Sequence, residues 1–216
     1  MRDAHRHFRR FGLVNTVLRS AYNRLRRLLY LNISVIEVHF PRDELQPSVQ
    51  GYETREIDSA EFHANLCAEL GKTNMRWAFD RGDFCVASLY QNKVVGFNFW
   101  TQQDTRVAPG IVFVIPPQHI YSFAAQTAPP HRGKGLSPER WKVAAPLKRR
   151  YFGDGTPTIH YTEVVNFESR SSGQSYLPPS LRVGYAGFMR LWGRWVVFGS
   201  SGCRQYGAGF ATEQPS

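Results

Sequence analysis

The stretch that most constrains this chain is residues 119–150, HIYSFAAQTAPPHRGKGLSPERWKVAAPLKRR. A mostly apolar run ends at a Pro-Pro break, a basic glycine loop follows, and a helix-like segment closes the unit. The pattern predicts a strand delivering exposed backbone N–H groups to a helix N-terminus, where outward amides and the positive end of the helix dipole together bind anions. Phosphate is the natural guest. Pro138 suits the first helical turn, where its missing N–H costs nothing, and Ser137 is a residue type that caps helices. Two other phosphate loops are excluded by spacing. There is no G-x-x-x-x-G-K-[ST], and no glycine three positions after Gly135 completes a dinucleotide fingerprint.

The chain has 216 residues, 42% of them hydrophobic, enough for one core with room for an appendage. Cys67, Cys85 and Cys203 are odd in number and widely spaced, which predicts a reducing, cytoplasmic setting and neither a disulfide scaffold nor a zinc site. The seven histidines lack ligand spacing, so no metal is expected. Of the net charge of +10, residues 1–30 supply +7 through eight Arg and one Asp. The remainder is close to neutral, which argues against a nucleic-acid surface on the fold itself.

Residues 8–30 read as a basic amphipathic helix, with Val14, Val17, Leu18, Ala21, Leu25, Leu28 and Leu29 at three- and four-residue steps. Polar breaks at Asn15, Thr16 and Arg19 exclude a membrane span or a signal peptide. Such a helix fits against its own domain, against the second subunit of a homodimer, or on a membrane surface, and Arg-rich presequences look similar. A strand at residues 33–40 and a polar, proline-bounded linker to residue 50 follow. A domain starting near Gly51 would then open with a strand at 52–57. Asp58 with Glu61 forms a capping box for a helix whose stripe continues through Phe62, Leu66 and Leu70, and a second helical piece is expected at 73–80. Residues 84–90 and 94–100 alternate as a hairpin, and Gly96 marks a bulge or a close backbone approach. Strands are expected at 119–127 and 158–165, and a last hairpin at 188–192 and 195–198. The end from Gly202 is Gly-rich and polar and is expected to fray.

This order of elements over residues 52–199, together with Arg132, Gly133, Lys134, Gly135, Leu136 and Ser137, resembles the GCN5-related N-acetyltransferase (GNAT) family and its R-x-x-G-x-G/A loop. Ser137 stands where Gly or Ala is usual. The likeness covers roughly two-thirds of the chain. It implies an α+β fold, a mixed and mostly antiparallel central sheet flanked by helices. Residues 51–200 would form the acyltransferase domain, residues 1–50 an added helix, strand and linker, and residues 201–216 a flexible tail. It implies acetyl-CoA as cosubstrate, with the backbone of Ala125 and Thr127 on the pantetheine arm, residues 132–137 around the pyrophosphate, and Asn166 from an N-x-x-S element at the site.

The implied chemistry is attack of an amine on a thioester, which requires orientation, a proton acceptor and an oxyanion partner. Family members often carry a carboxylate on the fourth strand, where this chain has Tyr121, Ser122 and Phe123, and a tyrosine where it has Ser180. Glu163 is therefore the candidate base if its strand phase turns it to the site, Tyr121 and Ser122 a water relay, and Tyr176 the candidate acid. The acceptor would be a small-molecule or lipid-linked amine. Two other readings stay open: an inactive CoA- or partner-binding protein of this fold, and a membrane-associated acyltransferase. His119 and His160 read as strand-end surface residues, Trp100 as core or pocket wall, and Cys85 as a buried small hydrophobe.

Overall fold

In the computed structural model, which describes residues 2–39, 49–71, 73–166 and 180–213, β3 (Phe84–Tyr90) and β4 (Lys93–Thr101) form the expected hairpin. It turns at Gln91 and Asn92, both at positive φ, the geometry that matches the twist of the flanking strands. The remaining elements are α1 (Arg2–Leu29), β1 (Asn32–His39), β2 (Glu53–Ile57), α2 (Ser59–Asn65), α3 (Arg76–Asp80), β5 (Thr105–Ala108), β6 (Ile111–Val114), β7 (Ile120–Thr127), α4 (Leu136–Phe152), β8 (Thr158–Glu163), β9 (Ser180–Leu191), β10 (Arg194–Gly199), α5 (Ser201–Tyr206) and β11 (Gly209–Thr212). The fold is α+β, as expected: one mixed, mostly antiparallel sheet flanked by helices, with an N-terminal helix added.

The central sheet has the order β10-β9-β1-β8-β7-β4-β3-β2, and among its described strands only β7 and β8 pair in parallel. This corrects the reading of the N-terminal strand as part of an appendage. β1 lies between β8 and β9, bonded to both, so the sheet is continuous only through residues that precede Gly51. Side-chain alternation divides the core between two faces. On one face Phe97, Phe99, Tyr121 and Phe123 pack in one cluster with Phe62 of α2 and Ala78 of α3, and Phe113 and Phe210 join them from a small second sheet, β11-β6-β5. On the other, Phe84, Val86, Trp100 and Ile120 pack against Ala144 of α4.

Asp58 caps α2 by accepting from the Glu61 N–H at 2.8 Å, as the sequence pattern requires. The Glu61 carboxylate turns instead to Arg55, leaving the capping box half made. The helical stripe stops short of Leu66, which forms an isolated bridge with Val94. Residues 201–213 of the expected tail are structured. Ser200 caps α5, and Cys203 and Phe210 are buried, which anchors a Gly-rich segment that composition alone marks as loose.

Candidate functional site: a splayed strand pair above a glycine loop

β7 and β8 are hydrogen-bonded neighbours only at Ile120↔Thr158 and Tyr121↔Ile159. Beyond that point β7 continues to Thr127 and β8 to Glu163 with no further pairing between them. The opening begins where β7 bulges. Phe99 faces Phe123 and Phe97 faces Gln126, so Ala124 and Ala125 together oppose Asn98, and Ala124 takes φ 51°. A non-glycine residue at positive φ is costly and persists where surrounding structure enforces it, commonly beside functional sites.

Just beyond the bulge the strand is held by Arg140, a residue that the motif reading passed over. It is 1% exposed and donates to Ser88 Oγ at 3.2 Å, Gln126 O at 3.2 Å and Thr127 Oγ1 at 3.0 Å, tying α4 to the end of β7. Burial lowers its pKa to about 10, so it stays charged at neutral pH. Gly96 fits here for lack of a Cβ, which would stand 2.6 Å from Arg140 Nη1 and 3.1 Å from Gln126 O. Gly96→Val is expected to displace Arg140 and lower stability by about 1–3 kcal/mol, read as a fall in the urea midpoint. An unchanged midpoint would show that the contact yields freely.

From β7 the chain makes a short 3-10 turn at Pro129–His131 and enters the glycine loop. Gly133 and Gly135 sit at φ 76° and 80°, and Gly135 occupies the cap position of α4. Ser137 therefore lies inside the first turn instead of capping it, and Pro138 lies in that turn as expected. The N–H groups of residues 133–137 make no hydrogen bond among the described residues. Leu136 contributes its backbone only, since its side chain packs with Val95 and Ala128. Lys134 reaches away to Tyr52 OH at 2.8 Å, and Arg132 donates to Thr127 O at 2.9 Å. Ala125 is exposed on the bulge, while Thr127 is engaged by Arg132 and Arg140.

The catalytic candidates divide between the two faces. Tyr121 is buried beside Tyr161, their rings 5.9 Å apart, and burial holds both phenols above their ordinary range. Ser122 points to the other face and accepts from Asn98 Nδ2 at 2.8 Å, so Tyr121 and Ser122 do not converge on one water. Glu163 shares the Tyr161 face, but its expected apolar surroundings are not observed. Asn32 Nδ2 donates to Glu163 Oε1 at 3.0 Å, and Arg26 Nη1 pairs with Oε2 at 2.8 Å. Asn166 donates its N–H to Glu163 O at 2.8 Å just after β8. Tyr176 and the rest of the N-x-x-S element lie outside the described residues. Tyr161 is the tyrosine that sequence reasoning missed, although the alternation of β8 already puts it on the face of Glu163.

His160 is not a surface residue. It stacks on His39 at 4.6 Å with the rings 14° from parallel, and with Glu37 they bring three potential ligand atoms within 4.8 Å of one another. The missed signal is positional: Glu37 faces His160 across β1 and β8, and His39 lies two residues along. Nearly parallel rings run their in-plane lone pairs side by side, and Arg182 stands 3.8 Å from Glu37, so the group suits a packed polar cluster better than an ion. His119 bonds Tyr206 OH, and Cys85 and Trp100 are buried as expected. A recess lined by Glu56, Asp58, Glu61 and Asp83 lies at the far end of β3. Its carboxylates are engaged by Tyr151, the α2 N-terminus, Arg55 and Arg81.

Among the described residues no helix is long and apolar enough to cross a membrane. No family model matches the chain, and no curated protein matches it. Solved structures similar to it are mostly GNAT acetyltransferases. An acetyltransferase of the GNAT family from Colwellia psychrerythraea aligns at 12% identity over 78% of this chain and 56% of its own, with a TM-score of 0.47. A tandem GNAT protein from the clavulanic acid biosynthesis pathway aligns at 11% identity over 74% and 54%, TM-score 0.46. A GCN5-related N-acetyltransferase from Sphaerobacter thermophilus aligns at 8% identity over 79% and 56%, TM-score 0.44. The chain thus spans little more than half the length of these structures, and at such identities and scores the likeness carries no chemistry to it.

Proposed function

We propose that this chain binds acyl-CoA at residues 132–137 and transfers the acyl group, acetyl in the first instance, to an amine. The observation that carries the reading is the pairing of two features on adjoining elements. β7 and β8 part and leave strand backbone for an extended arm, and β7 leads through a short 3-10 turn into a loop at the N-terminus of α4 whose amides make no hydrogen bond among the described residues. Arg140 adds a buried positive charge under the same strand end. In the transfer, the amine nitrogen attacks the thioester carbonyl carbon, the C–S bond breaks, the amine proton passes to a base and the departing thiolate takes a proton. Glu163 is the base in this scheme: each of its oxygens already accepts one hydrogen bond, and a carboxylate oxygen has capacity for another. Tyr161, held protonated by burial, is the acid.

The ion pair of Glu163 with Arg26 favours a second reading, a CoA-binding protein of this fold without turnover. Calorimetry with acetyl-CoA, followed by thiol release across a panel of amines, separates the two. Binding with release supports transfer, and binding without release for every amine supports the second reading. Absence of binding would remove both. In an active protein Glu163→Gln is expected to lower kcat/KM about a hundredfold with CoA affinity unchanged. Retention of the wild-type rate and pH profile would take Glu163 out of the mechanism.

A further inference from the structure

The N-terminal helix turns its apolar stripe away from the fold. At about 100° per residue, Val14, Val17, Leu18, Ala21, Leu25 and Leu28 fall in a band about 100° wide. In the structure this band is outward, with Val14, Val17, Leu18, Leu25 and Leu28 between 47% and 76% exposed. The helix meets the domain through its neighbouring, more polar side. Tyr22 OH accepts from the Ile33 N–H at 2.8 Å, and Arg26 pairs with Glu163. This corrects the expectation that a packed α1 would bury its apolar residues. The turn between β9 and β10 adjoins the C-terminal end of α1, since Asn32 pairs with Phe188 and the Tyr30 ring lies 6.4 Å from Trp195. That turn presents Trp192, 97% exposed, between Arg190 and Arg194.

We propose that α1 and the β9–β10 turn together seat the protein on the surface of an anionic lipid bilayer. An outward apolar stripe on a strongly basic helix lies in the interface plane, with the apolar side chains below the headgroups and the arginines among them. Tryptophan at a hairpin tip is suited to the same depth, because its ring is apolar and its N–H is polar. Charge decides between a lipid surface and a second copy of this chain. Val14, Leu18, Ala21, Leu25 and Leu28 also follow the four-three spacing of paired helices. Pairing would bring together two segments of +7 each, a repulsion that an anionic surface turns into attraction. The seating does not depend on acyl transfer.

The test is co-sedimentation of the full chain with phosphatidylcholine vesicles, with and without phosphatidylglycerol. Binding is expected only to the anionic vesicles and should weaken with added salt. Leu25→Asp and Trp192→Ala alter exposed side chains, so each is expected to keep the wild-type melting temperature while reducing vesicle partition about tenfold. Failure to bind anionic vesicles, or equal binding by wild type and both variants, would overturn the proposal. So would a dimer in light scattering that Leu25→Asp dissolves, which would assign the stripe to a second copy.

Discussion

Gly135→Val is expected to lower acetyl-CoA affinity about a hundredfold while leaving the fold in place. Gly135 takes φ 80° at the cap of α4, a left-handed conformation that a β-branched residue adopts only at a cost of about 1–2 kcal/mol. The damage is conformational more than steric, because an added Cβ would meet only Val49 Cγ2, at an ordinary 3.8 Å. Relaxing to negative φ would reorient the N–H groups around it that the proposed phosphate cradle requires. Losing one or two hydrogen bonds to a charged phosphate, each worth about 1.5–3 kcal/mol, corresponds to roughly two decades of affinity. Lys134→Ala should change affinity much less, since its ammonium is directed to Tyr52. Calorimetry on the two variants, with melting curves as a folding control, checks the contrast. Undiminished affinity in a folded Gly135→Val protein would overturn the loop assignment.

The parts of the fold that were legible in the sequence are those fixed by local chemistry. Asp58 three residues before the Glu61 amide, the alternating hairpin of β3 and β4, and the glycines at 133 and 135 each state their own geometry. Gly96 was recognisable as a close approach, though Arg140, which approaches it, lies far along the chain. What stayed hidden is non-local. Nothing near β1 announces that it will pair with β8 and β9, because period-two alternation specifies a face and not a neighbour. The same holds for Glu163, whose phase is readable but whose partners come from Arg26 and Asn32, across the opposite end of the chain. The tail misleads for another reason: its glycines lower local propensity, while Cys203 and Phe210 secure it by burial that composition does not reveal.

Acid is expected to destabilise this protein before its carboxylates are protonated, and His160 is the reason. Its side chain, 15% exposed, lies against His39 and Trp141, and Nδ1 has no hydrogen-bond partner among the described residues. Glu37 Oε2 stands 3.6 Å from Nε2, beyond hydrogen-bond reach, and among the described residues Arg182 stands by Glu37 and the buried Lys148 bonds Thr158. Burial first, and then repulsion from His39, pulls the His160 pKa down to about 3 from an ordinary value of 6.5. Between those values the unfolded chain binds a proton that the folded one refuses, so stability falls as pH falls, by about 1.4 kcal/mol per unit. The informative window is pH 6.5 to 4.5, values set by His160 and by Glu61. Below it Glu61, whose folded pKa is lowered by Arg55, begins to lose its own contribution. Across the window the wild type should lose about 2–3 kcal/mol, read from urea midpoints. His160→Gln cannot take up the proton, so its stability should be nearly flat there, whatever its level at neutral pH. An equally steep slope in the variant would place the acid sensitivity elsewhere.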